Sequence, residues 1–268
     1  MENIIISDLF IYPIKSTTGI AINSSNIINT GFEFDRIFGV VNNLNEILTA
    51  RENSKLLQIS CSIKEGELTL LHPQKKPLEI NLKKAISTYA TEINLFKKNT
   101  MGKLIESEEA ITWISDILEE PCKLITIDNK NLRKVNYKAL GSNISFNDSY
   151  PIHLTTTASM RDINNKLETK IIDNRYRPNI VISGTKPYEE ENWKSITIGN
   201  CLFKVITPTE RCTLITINPI TLIKDKKQEP LRTLAKNRDN NKKVNFGIYL
   251  IPIKTGNIKK GDPICINR

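Results

Sequence analysis

Short apolar runs separated by polar turn residues dominate roughly the first ninety residues of the chain. Runs of this kind, some of them alternating between apolar and polar positions, are typical of β-strands. They cover residues 4–11, 32–41, 56–63, 68–71 and 78–82. Their spacing predicts a small antiparallel sheet or barrel in the N-terminal part of the chain.

Three later segments carry apolar residues at helical spacing instead. Residues 110–118 form an apolar face behind an acidic first turn at 106–109, where negative charge suits the positive end of the helix dipole. A second helix is predicted over residues 158–167. A third is predicted to start near Pro230, because the fixed φ of proline suits the first helical position.

The second half of the chain otherwise returns to strand-like runs. Residues 196–198 and 202–205 flank Gly199-Asn200, which predicts a tight hairpin. Residues 214–217 and 246–253 are expected to add further strands. The whole pattern predicts an α+β, β-rich chain, made of two β-rich units and a few helices.

The composition is that of an ordinary folded protein. The chain has 268 residues, 39% hydrophobic and 25% charged, which is enough for one large domain or two modest ones. No apolar stretch reaches the roughly 18 residues that cross a bilayer. The start, Met1-Glu2-Asn3, lacks the basic flank and apolar segment of a signal peptide. We therefore expect a cytoplasmic protein without a membrane anchor.

The net charge of +9 favours anionic partners, which include nucleic acids, phosphate-bearing cofactors and acidic proteins. Aromatic residues make up only 6% and no RNA-reading or DNA-reading motif is present, which argues against nucleic acid. A basic tract over residues 224–243 holds eight Lys or Arg against three Asp or Glu. This tract is either a docking surface for an acidic partner or an ordinary solvated face.

The cysteines and the absence of common motifs exclude several classes of protein. The chain has no GxSxG, HExxH, P-loop or GxGxxG element, which are the signatures of triad hydrolases, zincins and common nucleotide folds. The cysteines are odd in number and form no CxxC pair, so a disulfide framework, a structural zinc site and an iron–sulfur cluster are not expected. They are Cys61, Cys122, Cys201, Cys212 and Cys265.

Several cationic residues lie where a strand meets a loop. Lys15 and Ser16 follow Pro13, so the Lys15 ammonium either meets an anion or is solvated at a strand end. Arg36 follows Asp35 inside an apolar run and is either paired with a carboxylate or turned toward an anionic ligand. Arg177 precedes a buried-looking strand, where it either contacts a ligand or ties down a loop.

Arg211 and Cys212 stand together at a loop-to-strand junction. A neighbouring positive charge favours the thiolate, the form that ligates a metal or attacks an electrophile. The alternative is that Cys212 is a small buried hydrophobic residue. The two histidines do not indicate a hydrolase site. His72 precedes Pro73 in a turn, and His153 lies in an apolar run where a core histidine is the better interpretation.

In combination these segments resemble the MOSC-domain family, and within it the branch that reduces amidoximes and N-hydroxylaminopurines. The matching pieces follow the family's order over nearly the whole chain. They are Tyr12-Pro13-Ile14-Lys15-Ser16, Gly31 through Asp35-Arg36, Thr49-Ala50-Arg51, Asp148 to Pro151, residues 177–184, Arg211-Cys212, residues 229–234, Phe246-Gly247, Gly256 and Gly261-Asp262. The combination of YPIKS, RPNIVISG and RC is specific to this family, although no single piece is.

The resemblance implies two domains with a cofactor between them. Residues 1–95 are expected to form a MOSC N-terminal β-barrel domain, residues 96–125 a linking strand and helix, and residues 126–268 a MOSC β-barrel domain. The cofactor implied is molybdenum bound to molybdopterin, a pterin that carries a phosphate and a dithiolene. Both groups are anionic, in keeping with the positive net charge.

The resemblance also implies roles for particular residues. Cys212 is expected to give its thiolate to molybdenum, a metal that soft sulfur ligands suit. Asp148 is expected to act beside it in catalysis by relaying a proton. The residues expected to bind the cofactor are Lys15, Ser16, Arg36, Ser149, Arg177, Asn179 and Arg211. Glu210, two residues before Cys212, stands where the amidoxime-reducing relatives have a serine.

The activity implied is a molybdenum-dependent oxidoreductase that reduces small N-hydroxylated compounds from N–OH to N–H. Only Cys265 remains near the end of the sequence, without the clustered cysteines of a ferredoxin-like domain. Electrons are therefore expected from a separate ferredoxin, flavodoxin or cytochrome-type protein. The alternative is a protein that carries the cofactor, or transfers sulfur to it, without turnover of its own.

Overall fold

Strands are the main regular structure of the computed structural model, which describes residues 3–135, 143–171, 173–240 and 243–268. In chain order the strands are β1 Ile5–Ile11, β2 Ile20–Ile22, β3 Ser24–Ile28, β4 Gly31–Phe32, β5 Phe38–Asn42, β6 Ser60–Lys64, β7 Glu67–His72, β8 Lys75–Asn81, β9 Thr91–Leu95, β10 Lys98–Leu104, β11 Cys122–Ile127, β12 Arg133–Lys134, β13 Asn143–Ile144, β14 Ile152–Thr156, β15 Ile180–Ser183, β16 Ser195–Ile198, β17 Cys201–Glu210, β18 Asp239–Asn240, β19 Lys243–Lys254, β20 Gly256–Lys259 and β21 Ile264–Asn267. The α-helices are α1 Leu82–Ala85, α2 Glu108–Leu118, α3 Thr157–Asn164 and α4 Leu231–Arg238. Short 3-10 helices cover Ser54–Gln58, Asp173–Tyr176, Glu189–Asn192 and Thr213–Thr216.

The largest sheet joins the two ends of the chain. Its strand order is β2-β1-β15-β14-β19-β17-β16-β21, and β18 pairs with β19. Strand β1 runs antiparallel to β15, with Ile6 opposite Ile182, while β14 and β15 are parallel. Strand β14 is buried along its whole length, because the sheet is covered on both faces at that point. The N-terminal strands therefore complete a sheet built mainly from the second half.

Smaller sheets surround this one. The four-stranded sheet has the order β5-β11-β10-β9, and two three-stranded sheets have the orders β6-β7-β8 and β20-β3-β4. The pairing of β3 with β20 again joins the start of the chain to its end. The predicted domain limits at residues 95 and 125 stay a prediction. Strand pairing nevertheless crosses them, because three sheets contain strands from both sides of these limits.

Helix α2 has the buried face that its sequence predicts, but it begins at Glu108, so Glu106 lies outside the predicted first turn. Ser107 caps it, and its Oγ accepts a hydrogen bond from the Ala110 backbone N–H at 3.2 Å. The helix ends at Glu119, whose backbone is left-handed with φ of 57°. Its buried residues pack against β11 and β8, and they are Ala110, Trp113, Ile114, Ile117 and Leu118.

Other local predictions are confirmed with shifted limits, and one is wrong. Helix α4 begins one residue after Pro230, α3 ends before the predicted residue 167, and β16 and β17 form the expected hairpin. Residues 214–217 are predicted as a strand, but 214–216 lie in a 3-10 turn, and Ile217 follows it with extended backbone. The reason is local: the Ile215 N–H donates to the Cys212 carbonyl and the Thr216 hydroxyl to the Thr213 carbonyl, which closes the turn.

The fold is α+β and β-rich with few helices, as the sequence predicts. Within the described part of the chain, none of the helices is long and apolar enough to span a membrane. Loops from distant parts of the chain meet beside the large sheet. These are the loops after β1, before β5, before β14, before β15 and after β17, and they carry the predicted site residues.

Candidate functional site

A cleft lies where these loops meet. The volume of the cleft, including the space open to solvent at its mouth, is about 670 Å³. Eight of the nine predicted site residues line it, and only Ser149, which is exposed, does not. Its lining residues are Lys15, Ser16, Arg36, Asn147, Asp148, Tyr150, His153, Tyr176, Arg177, Asn179, Glu210, Arg211, Cys212, Leu214 and Tyr249.

Two arginines at the cleft are held against one buried aromatic ring. The guanidinium carbons of Arg36 and Arg177 lie 4.3 and 4.2 Å from the centre of the Tyr12 ring. Tyr12 is itself fixed, since its hydroxyl donates to the Pro178 carbonyl at 3.1 Å and its N–H to Asp35 Oδ1 at 2.9 Å. Such cation–π contacts orient planar guanidiniums as well as stabilising them. Burial raises the pKa of Tyr12 to about 12, although both arginines oppose this, so the ring stays neutral.

Three cleft residues share an uncommon backbone conformation. Ser16, Arg36 and Arg177 have φ values of 67°, 51° and 57°, in the left-handed region that disfavours residues with a Cβ. Hydrogen bonds hold the first two loops in place: the Lys15 N–H donates to the Phe38 carbonyl at 2.8 Å, and the Arg36 N–H to the Tyr12 carbonyl at 2.9 Å. Backbone strain of this kind gathers at binding sites, where it fixes side-chain direction.

The Arg36 charge is compensated inside the protein. Its Nη1 donates to Asp35 Oδ2 at 2.6 Å and to Asn179 Oδ1 at 3.2 Å. The Asn179 oxygen also accepts from the His153 N–H at 3.1 Å, and its Nδ2 donates to the Phe10 carbonyl at 3.1 Å. Asn179 therefore links Arg36 to the sheet. Its predicted contact with the cofactor stays a prediction.

Lys15 is buried at the base of the cleft and paired with Asp148. Its Nζ donates to the Phe146 carbonyl at 2.8 Å and forms an ion pair with the Asp148 carboxylate, whose side chain is 53% exposed. Burial opposes ionisation of Asp148, but Lys15 outweighs burial and lowers the pKa of Asp148 to about 2. Burial in turn lowers the pKa of Lys15, although Asp148 opposes that change. Asp148 is thus ionised at neutral pH.

Arg211, directly after β17, and His153, on β14, also line the cleft. Arg211 Nη2 donates to the Tyr176 carbonyl at 2.8 Å. The two ring nitrogens of His153 lie 3.4 and 3.3 Å from the carbonyl oxygens of Arg177 and Phe246. Burial, aided by Arg211, lowers the pKa of His153 well below its usual value, so this imidazole is neutral. It is a core histidine, as its apolar run predicts, but one that also lines the cleft.

Cys212 presents an exposed thiol at the cleft. Its sulfur lies 3.9 Å from Nη1 of Arg51, which is contributed by the N-terminal half of the chain. The guanidinium of Arg51 lies 5.4 Å from the centre of the Phe96 ring, and Lys15 Nζ lies 4.7 Å from the same ring. The alternative interpretation of Cys212 as a small buried hydrophobic residue is therefore wrong, because its side chain faces open space.

The structure adds residues to the site that sequence reasoning did not select. Arg51 and Tyr150 belong to matching pieces, so their sequence signal existed, whereas the other four residues carry no local signal. Each of them reaches the site through a contact between parts of the chain that are far apart in sequence. They are Arg51, Phe96, Asn147, Tyr150, Tyr176 and Tyr249.

Comparisons with known proteins cover both halves of the chain. Residues 3–121 match the MOSC N-terminal beta barrel domain, and residues 141–265 match the MOSC domain. The chain is 30% identical to mitochondrial amidoxime reducing component 2 of Rattus norvegicus, over 97% of this chain and 82% of that protein. It is 27% identical to molybdenum cofactor sulfurase of Oryza sativa subsp. japonica, over 93% of this chain but 33% of that protein.

One solved structure of similar extent is the YUAD protein from Bacillus subtilis. It covers 98% of this chain and 94% of its own, with 12% identity and a TM-score of 0.42. The matches over both halves, and the 30% identity over nearly the whole length, decide the family. The chain belongs to the MOSC-domain family, with a MOSC N-terminal beta barrel domain followed by a MOSC domain.

Proposed function

We propose that this protein is a molybdenum cofactor-dependent oxidoreductase that reduces N-hydroxylated compounds, N–OH to N–H, with electrons from a separate protein. The observation that carries the proposal is the exposed Cys212 thiol in a cleft lined by Lys15, Arg36 and Arg177. The MOSC family and the amidoxime-reducing relative support it. A lone thiol beside clustered cations is the chemistry that a metal with an anionic organic ligand requires.

Cys212 is the residue we assign to the metal. Across residues 3–135, 143–171, 173–240 and 243–268, no group of three or more His, Cys, Asp or Glu side chains gathers where it could hold a metal ion. A molybdenum centre would therefore take one ligand from the protein and its other ligands from the pterin dithiolene and from small groups. Soft sulfur suits this metal, and a single protein ligand leaves positions for substrate.

The cations of the cleft fit the anionic parts of the cofactor. Among the described residues that line it, Lys15, Arg36, Arg177 and Arg211 stand with two carboxylates, those of Asp148 and Glu210, and Asp35 pairs with Arg36 from outside the lining. Burial lowers the pKa of Arg177 to about 10, which leaves it charged at neutral pH. We assign these cations, with Ser16, to the phosphate and dithiolene through charge-assisted hydrogen bonds.

Two buried polar atoms also fit a pterin. Arg211 Nε and Asn147 Oδ1 have no hydrogen-bond partner in the part of the chain that the structure describes, although both residues line the cleft. Buried polar atoms without a partner cost free energy, of the order of 1–3 kcal/mol each. A pterin ring offers both N–H donors and ring acceptors, so it could satisfy the donor on Arg211 and the acceptor on Asn147.

The protein's part in the reaction is binding and proton supply. Reduction of N–OH to N–H consumes two electrons and two protons and releases water; the bound cofactor supplies the two-electron chemistry. Asp148, ionised beside Lys15, can accept a proton from solvent and return it, since its side chain is half exposed. Its role as proton relay, like the cofactor roles of Ser149 and Asn179, is part of this proposal.

An acidic electron donor is proposed for the basic tract at 224–243. Its Arg232 and Lys236 line a groove together with Lys166 and Lys170. Complementary charge raises encounter rates at low salt. We expect the rate of reduction by a purified ferredoxin or flavodoxin to fall as salt rises, and a rate independent of salt would contradict this surface.

The second candidate function is that of a cofactor carrier or sulfur-transfer protein. The observation favouring it is the similarity to molybdenum cofactor sulfurase over 93% of this chain. Such a protein would use the same cleft, so cofactor binding does not separate the two functions. Turnover does, because a carrier binds the cofactor without reducing any N-hydroxylated compound.

The test combines metal analysis with activity. The protein is purified from a host that makes molybdopterin, and molybdenum and pterin are measured before a dye-driven assay with an N-hydroxylated substrate. We expect stoichiometric molybdenum, with activity lost in Cys212→Ala. Cys265→Ala is the matched control, because Cys265 is also exposed but lies on β21, outside the cleft. Full activity in Cys212→Ala would overturn the proposal, and bound cofactor without turnover would favour the carrier.

A further inference from the structure

An apolar trough leads away from the cleft along the surface between the two halves of the chain. We define the trough by Leu57, Leu71, Leu214, Ile217, Pro219 and Ile220, which line two adjoining pockets. The inner pocket shares Leu214 and Arg177 with the cleft. The outer pocket shares Leu57 and Pro219 with the inner one. The charged cleft and the trough thus adjoin at Leu214 and Arg177.

Most polar groups along the trough already form hydrogen bonds or ion pairs within the protein. The Thr18 hydroxyl donates to the Leu57 carbonyl, and the Thr18 N–H donates to the Ile59 carbonyl at 2.9 Å. Gln58, Ser60, His72 and Lys75 also line the outer pocket. Gln58 donates to the Ile220 carbonyl at 3.4 Å, His72 Nδ1 accepts from the Gln74 N–H at 3.2 Å, and the Lys75 ammonium pairs with Asp116 at 2.7 Å. Arg175 and Arg177 are the charged residues that line the inner pocket. The binding free energy of a ligand in the trough would therefore come mainly from the removal of apolar surface from water.

The trough also leaves a large apolar side chain in water. Ile220 is 74% exposed at its outer end, whereas Leu57 and Ile217 are 7% exposed on its walls. A concave apolar surface with a few polar groups at one end is the ordinary form of a site for a small molecule. The polar end here is the cleft with Cys212, because Leu214 follows Cys212 by two residues and lines both.

We propose that the trough binds the apolar body of the substrate, so that the protein selects N-hydroxylated compounds with an extended alkyl or aryl group. This inference rests on the proposed function, since that function places the N–OH group at Cys212. The polar head would occupy the cleft and the apolar body would pass Leu214 into the trough. Pro219 and Ile220 then determine how long a body is accepted.

The experiment uses N-alkylhydroxylamines with tails of one to eight carbons. Their binding to the full-length protein is measured by calorimetry without reductant, and their reduction is measured separately as kcat/KM. Each methylene that becomes buried is expected to lower Kd by about twofold to fourfold until the trough is filled. A Kd that does not change with tail length would overturn the inference.

Two variants and a control locate the effect. Ile220→Lys and Pro219→Trp are expected to abolish the gain for the longer tails while leaving Kd for the one-carbon compound unchanged. Leu44→Lys is the matched control, because Leu44 is 77% exposed and lies outside both pockets. If Kd still fell with tail length in both trough variants as in the unaltered protein, the inference would be overturned. A loss of molybdenum and pterin in Ile220→Lys would also overturn it, since the trough would then belong to the cofactor.

The two arms separate this inference from the proposed function. Tail-dependent binding without reduction of any compound would support the trough and contradict the reductase. Reduction with kcat/KM independent of tail length would support the reductase and contradict the trough.

Discussion

Arg51 Nη1 lies 3.9 Å from the sulfur of Cys212, although 161 positions separate the two residues in the sequence. Arg51 comes from the N-terminal half and Cys212 from the MOSC domain. The contact places a positive charge beside the sulfur that we propose as the metal ligand. The two halves of the chain therefore both contribute to the environment of this sulfur.

We expect Arg51→Met to weaken cofactor retention about fivefold. The physical reason is the loss of a charge-assisted contact of about 1 kcal/mol, reduced by the exposure of Arg51. Molybdenum content after extended dialysis measures the effect. Arg51→Lys keeps the charge and should retain more cofactor. Arg161→Met, which removes an exposed arginine from α3, should change nothing. Equal retention in Arg51→Met and the unaltered protein would contradict this prediction.

We expect Asp148→Asn to lower kcat at least about a hundredfold, which is the usual loss when a proton-transfer group is removed. Because the pKa of Asp148 is about 2, the carboxylate is ionised throughout the working range. The pH profile of the unaltered protein should accordingly show no step from this group between pH 5 and 8. The measurement is kcat and KM against pH.

A double-mutant cycle separates proton transfer from support of Lys15. If Asp148 acts only by positioning Lys15, then Lys15→Met with Asp148→Asn should be no slower than Lys15→Met alone. If Asp148 also transfers protons, the double variant should be slower. A double variant whose kcat equals that of Lys15→Met would therefore contradict the proton-relay role of Asp148.

We expect Gly247→Ala to destabilise the protein by more than about 3 kcal/mol. Gly247 has φ of +75°, and an added Cβ would lie 2.4 Å from the Leu154 carbonyl oxygen and 2.6 Å from His153 Nε2. Gly261→Ala is the matched control, since Gly261 has φ of +87° but nothing within 4 Å. It should cost only about 1 kcal/mol of backbone strain. Urea unfolding measures both, and equal losses would contradict the proposed clash.

We expect Glu190→Gln to stabilise the protein above pH 7. Glu190 is fully buried, and burial raises its pKa to about 7, although hydrogen bonds from Ser159 and Thr156 oppose this. A raised carboxyl pKa means that stability present below about pH 4.5 is lost as pH rises toward 7. The loss is about 3 kcal/mol, and glutamine, which never ionises, should avoid it.

The measurement for Glu190 is the free energy of unfolding from pH 4 to 8. The difference between Glu190→Gln and the unaltered protein should grow with pH and level off above 7. Glu65→Gln is the control, because Glu65 is 84% exposed. A constant difference over the whole range would contradict a buried glutamate that titrates near neutrality.

The local elements were predictable because their signals are local. The face of α2 repeats every three or four residues, and Gly199 marks the hairpin between β16 and β17. Residues 214–217 do not form the predicted strand, since three apolar residues among four suit a strand as well as a 3-10 turn. The hydrogen bond from the Ile215 N–H to the Cys212 carbonyl closes the turn, and the pattern of apolar residues does not predict this bond.

The sequence by itself determined which residue types are available for chemistry: a lone cysteine beside an arginine, and cations where strands become loops. Family resemblance assigned roles to them. Only the tertiary structure decided that Arg36 and Arg177 contact one Tyr12 ring, that Arg51 reaches Cys212, and that an apolar trough adjoins the cleft. These contacts join residues far apart in the chain. They depend on the pairing of whole strands, and no local periodicity records such pairing.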